Sequence, residues 1–145
     1  MHVKYDIGAY LKVHDLFVSA LVAGGTGDDT EVTTQSVDTL GWGSFKFVIL
    51  AHSNNTADKV LNVKTIKVEY SADDSAWDAA TTLSASETLC TGTGDKYGSY
   101  EYDSSLLGKK RYVRFLYTPD LTADDTDVAE VASLLILGGG DVSPG

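Results

Sequence analysis

The sequence is short of what usually ties small proteins together or anchors them elsewhere. Cys90 is its one cysteine, which excludes an intramolecular disulfide and a cysteine-based zinc site. Cations are scarce too: 11 Lys and Arg stand against 21 Asp and Glu, a formal net charge of −10. That balance argues against sequence-independent nucleic-acid binding, which draws its affinity from neutralised phosphates. It equally disfavours docking on an anionic membrane surface. Long apolar runs are missing: the longest, around Leu134 to Leu137, is far too short to span a bilayer. The opening MHVKYDIGAY has no apolar core of a secretory signal, so the expectation is a soluble protein made without export. No internal repeat stands out.

What is present points to β-structure. The 145 residues suit one domain with a core of its own. Thr, Val, Tyr and Phe recur in short runs punctuated by Gly, Asn, Asp and Ser. Candidate strands cover Asp15 to Ala23, Glu31 to Val37, Gly41 to His52 and a stretch beginning at Leu61. Phe45, Phe47 and Ile49 share one face of the third; Ile66, Val68 and Tyr70 share one face of the fourth. Trp77 is expected to return that segment to the core after the SADDS turn. Weaker strand signals lie at Ala80 to Leu89 and Tyr97 to Tyr102. KKRYVRFLYTP, Lys109 to Pro119, places Val113, Phe115 and Tyr117 on one face and Tyr112, Arg114 and Leu116 on the other. Pro119 is expected to end it, because proline cannot donate to a ladder. Val128 to Leu137 reads as a strand, with a short helix as the alternative. The sum is an all-β, jelly-roll-like antiparallel β-sandwich: an N-terminal arm over 1–14, a sandwich over 15–137 and a Gly-rich tail over 138–145.

The residues carry no catalytic signature. His2, His14 and His52 fall in no metal-ligand spacing, no G-x-S-x-G elbow exists, and Cys90 has no nearby histidine. GGTGDD, Gly24 to Asp29, lacks the Lys-Ser/Thr of a phosphate loop and reads as a hairpin or edge loop. Asp73-Asp74 and Asp124-Asp125-Asp127 fit no EF-hand and read as solvated turns, calcium being the rival reading. Trp42, Trp77, Tyr97, Tyr100 and Tyr102 could line a sugar platform, although a sandwich this size needs most of its aromatics for its core. No enzyme and no cofactor is expected.

Two segments, DIGAYLKVHDLFVSALVAGGTGDDTEVTTQSVDTLGWGSFKFVILA and GKKRYVRFLYTPDLTADDTDVAEVASLLILGGGDVSPG, resemble head structural proteins of tailed bacteriophages. The resemblance implies a jelly-roll decoration or cement protein on the capsid outer surface, made in the host cytoplasm. Its implied partners are the major capsid protein and further copies of itself, a trimer being favoured. Tyr5 and Tyr10 in the arm, with Lys109, Lys110, Arg111 and Arg114, are the candidate interface residues. Arg114 is expected to pair with acidic neighbours in its own or an adjacent subunit; the other three cations are candidates for a negative capsid surface. KVEYSADDSAWDAA, Lys67 to Ala80, with KRYVRFLYT also resembles discoidin-like carbohydrate-binding sandwiches, although Ser75 stands where their turn usually has glycine. That second likeness keeps carbohydrate open as a ligand.

Overall fold

The structure is a computed structural model that describes residues 10–122 and 127–139. Tyr5, most of the expected arm, the expected tail beyond Gly139 and the pair Asp124-Asp125 lie outside the described residues. Among the described residues nine strands follow in chain order: β1 Leu11–Val22, β2 Val32–Thr33, β3 Val37–Asp38, β4 Ser44–Asn55, β5 Val60–Ser71, β6 Thr81–Thr91, β7 Gly94–Ser105, β8 Tyr112–Thr122 and β9 Val128–Gly138. One sheet has the order β1-β9-β4-β7; the other has β2-β8-β5-β6, with β3 also on β8. Every pairing between named strands is antiparallel.

β2 and β3 are one strand interrupted. Between them the Thr34 N–H donates to the Phe115 carbonyl at 2.9 Å, and Thr34 Oγ1 accepts the Phe115 N–H at 3.1 Å. Counted as one, they leave eight strands in two four-stranded sheets, with the chain changing sheet at every connection except the β5–β6 hairpin. That is a jelly roll, and the chain is a single-domain β-sandwich.

The core is made by the alternation the sequence shows. Phe45, Phe47 and Ile49 from one sheet meet Val113, Phe115 and Tyr117 from the other, all buried. Irregularities in β1 and β5 shift the alternation. Leu16 is the extra residue between Asp15 and Phe17 in the ladder with β9, so both Leu16 and Phe17 turn inward. In β5, Thr65 takes a positive φ of 48°, and the buried series passes from Leu61 and Val63 to Ile66 and Val68.

The remaining differences from expectation have local causes. β1 begins at Leu11, inside the expected arm, because residues from Leu11 onward pair with β9 although Leu11 and Val13 are exposed. β9 is the strand expected at Val128 to Leu137, and it ends at Gly138. The weakly signalled segments are the full strands β6 and β7. Pro119 does not end β8. It pairs opposite Val63, and its carbonyl faces away from β5 to accept the Asp29 N–H at 2.8 Å. Its nitrogen shares that outward side, where the strand needs no donor to β5. Trp77 does not enter the core either. It bridges back to Ser71 and lies half-buried outside, under the Arg114 guanidinium at 4.1 Å.

Tyr117 gives the fold a pH limit. It is fully buried, its hydroxyl is 2.9 Å from Ser133 Oγ, and burial pushes its phenol up to about 12. The unfolded phenol titrates near 10. The folded value is the higher one, so the contribution is whole below pH 10 and is lost as pH rises toward 12, about 2–3 kcal/mol in all. Urea titrations at pH 8 and pH 11 should show a smaller alkaline loss for Tyr117→Phe than for wild type. Equal losses would remove Tyr117 from the account.

Candidate functional site

Two surfaces of the sandwich are left unfinished by the fold. The first is the end formed by the β3–β4 and β7–β8 loops. A chain of backbone bonds ties it together: the Lys109 N–H donates to Leu106, the Leu106 N–H to Gly43 and the Gly43 N–H to Gly138, at 3.0, 2.9 and 3.1 Å. Gly138 in turn pairs with Leu11. Gly43 passes so close to Gly139 that a Cβ would lie 2.7 Å from its carbonyl oxygen. Gly41 and Gly108, at φ 83° and 75°, turn the two loops. The leucines beside them stand in solvent, Leu40 at 68% exposure and Leu107 at 90%, with Tyr10 and Leu11 also exposed.

Lys109, Lys110 and Arg111 lie at this same end, but each is engaged within the chain. Arg111 makes a bidentate pair with Asp38, Nε to Oδ1 at 2.9 Å and Nη2 to Oδ2 at 2.7 Å, and this bond holds the Asp38 carboxyl below its ordinary range. Lys110 pairs with Asp78. Lys109 Nζ sits 5.3 Å from the centre of the Tyr70 ring. Arg114 is further along β8, on the outer face, 2.6 Å from Glu69 and over Trp77. Of the expected interface residues, then, Tyr10 and the three cations before β8 converge on one end; Arg114 serves the chain's own sheet.

The second surface is the outer face of the β1-β9-β4-β7 sheet. Register places its residues in rows: Val13, Ile136, Lys46 and Asp103; then Val18, Ala132, Leu50 and Ser99; then Ala20, Glu130, His52 and Tyr97. The β1 side is aliphatic, with Val13 at 62% exposure and Val18 at 75%. The β7 side is acidic: Asp95, Glu101 and Asp103, with Lys46 within 4.0 Å of the last two. Between them lies a groove of about 510 Å³ lined by Val18, Ala20, Leu50, His52, Tyr97 and Glu130. Tyr97 is 77% exposed, its ring stacked on His52 at 4.8 Å. His52 Nε2 is 2.9 Å from Asp95, and Nδ1 is 3.9 Å from Glu130.

The opposite sheet presents no such face. There Lys64 pairs with Asp120 and Asp29, Lys67 with Glu31 and Arg114 with Glu69. Its charges close on one another. Asp73, considered above for calcium, caps its own turn by accepting the Ser75 and Ala76 N–H groups at 3.0 and 2.9 Å. Among the described residues no group of three His, Cys, Asp or Glu is placed to hold a metal ion.

Leu40 and Leu107 carry no signal in the sequence, because a leucine beside a loop glycine has no period to betray it. Val18 and Leu50 left a trace: β1 and β4 carry apolar residues on both faces, more than a strand with one wet face needs.

No protein-family model matches the chain, and no curated protein is significantly similar to it in sequence. Solved structures do share its fold. A chain of the T13 particle of infectious bursal disease virus is similar over 93% of this chain, at TM-score 0.53 and 12% identity. The VP2 subviral particle of the same virus gives 0.52 and 11% over 92%. This chain spans about a third of those viral chains, 33% and 34%. The C-terminal domain of EclA, a sugar-binding protein, gives 0.53 and 8%, over 92% of this chain and 85% of that one. At such identities the likeness is one of fold.

Proposed function

We propose that the chain is a non-enzymatic virion protein that decorates and cements a tailed-phage capsid, seated through the loop end by Leu40, Leu107, Tyr10 and Lys109. The observation that carries this reading is the pair of leucines held out on glycine turns where Tyr10 and Gly139 also lie. A monomer gains nothing by holding them there, whereas each buried leucine adds about 1.5–3 kcal/mol to an association. A surface complementary to this end would be an aliphatic cleft flanked by carboxylates that meet Lys109. Several copies, a trimer in the favoured arrangement, would bridge neighbouring capsid subunits through linked contacts. The jelly roll shared with viral particle chains supports the reading.

The copy number of the protein relative to the major capsid protein in purified virions tests it. A ratio near one supports shell-wide decoration, and a handful of copies moves the chain to a tail or neck. The double variant Leu40→Ser, Leu107→Ser should melt within a few degrees of wild type, yet bind capsids at least about 100-fold more weakly, since two buried leucines amount to about 3–6 kcal/mol. Co-sedimentation with stripped capsids measures this, and undiminished binding would exclude the loop end.

A second reading, a carbohydrate-binding module displayed on the virion, is favoured by the exposed Tyr97 ring above its groove and supported by the fold shared with the sugar-binding domain of EclA.

A further inference from the structure

We infer that the groove over β1, β9, β4 and β7 is a binding site for a neutral pyranose glycan, an assignment that rests on the second reading above. Three observations meet there. Tyr97 offers a flat, exposed ring whose tilt is set by His52 stacked 4.8 Å away. His52 is itself held by a hydrogen bond with Asp95, 2.9 Å from Nε2, and Glu130 lies 3.9 Å from Nδ1. A pyranose presents a C–H face that packs on such a ring and hydroxyl donors along its edge. The Asp95 and Glu130 carboxylates have lone pairs left to accept them. The floor, Val18, Ala20 and Leu50, is apolar. Its volume of about 510 Å³ falls among small-molecule sites.

Charge and backbone narrow the occupant. Glu130 lines the groove and Asp95 stands beside it on His52, two carboxylates that repel sialylated, sulfated or phosphorylated sugars. A peptide strand would need unpaired backbone groups to bind, yet β9 and β4 at the centre of the groove are paired on both sides. Only side chains are on offer, and they are those a polyhydroxyl ligand uses. His52 is a positioning residue; Tyr97, Asp95 and Glu130 make the contacts.

The test is a glycan array probed with the full chain, followed by NMR titration of the ¹⁵N-labelled protein with the strongest neutral ligand. Signals from neutral hexose glycans are expected, with shift changes centred on Val18, Leu50, His52, Tyr97 and Glu130. Tyr97→Ala should weaken binding about 10-fold or more, while Tyr97→Phe, which keeps the ring, stays within about threefold. A silent array overturns both this site and the sugar-binding reading. Glycan binding that survives Tyr97→Ala, maps elsewhere or needs an anionic sugar overturns the site alone and leaves that reading standing.

Discussion

Gly98→Ala is expected to cost about 3 kcal/mol or more, beyond the usual range for adding one methyl group. Gly98 lies in β7 opposite Ala51, beneath the point where β6 crosses over the corner of the sandwich. A Cβ there would fall 1.8 Å from the Leu89 carbonyl oxygen and 2.5 Å from its carbon. Both atoms are backbone, so no rotamer change relieves the clash; β6 and β7, which belong to different sheets, have to draw apart. Cys90, the next residue, is buried beside it, so the movement also opens the core. Thermal unfolding should register a fall of roughly 6–12 °C for a chain of this size. A fall under 2 °C would mean that β6 and β7 separate freely at this point.

Phe115→Ala should come close behind, at about 3–5 kcal/mol. The Phe115 ring stacks on Phe47 with centroids 3.9 Å apart and an interplanar angle of 2°, and it meets Phe45 edge-on at 5.6 Å. Phe47 belongs to one sheet and Phe115 to the other, and both are at 0% exposure. The stack is therefore the contact through which the two layers read each other's position. Removing one ring leaves a cavity between rigid sheets that cannot collapse far, because each is fixed by its own ladder. Chemical denaturation measures the loss. A double-mutant cycle of Phe47→Leu with Phe115→Leu should show coupling of about 0.5–1.5 kcal/mol from the ring pair itself; additive effects would reduce the stack to ordinary burial.

Such features were unequally legible in the sequence. Alternation at Phe45, Phe47 and Ile49, and again at Val113, Phe115 and Tyr117, marks core faces directly, since side chains in a strand alternate sides and burial selects one. Where alternation breaks, at Leu16 and Thr65, sequence loses track, because a bulge inserts one residue with no compositional mark. Gly98 reads as a weak point in a strand until its neighbour across the corner is known. Trp77 misleads for a related reason: an indole satisfied by a guanidinium on an outer face has the same letter as one in a core. The cations of KKRYVR look available in sequence because Asp38, Glu69 and Asp78, which hold three of them, lie 73, 45 and 32 residues away. The exposed leucines and the Tyr97 groove are products of register and turn geometry, which only the folded chain supplies.

Gly138 lies at the loop end, paired with Leu11 and bonded to Gly43. A peptide or fluorophore inserted directly after Gly138 would therefore start at the surface proposed to face the capsid, where it would compete with seating. The β6–β7 turn is at the other extreme of the strands, about 35 Å away along strands of this length. There Thr93 is exposed between Gly92 and Gly94, both at positive φ. A loop grafted at Thr93 would point outward without touching the seated end, and it would rise next to the Tyr97 groove. For displaying an epitope on a particle, that turn is the attachment point, and an insertion at the loop end is the arrangement to avoid.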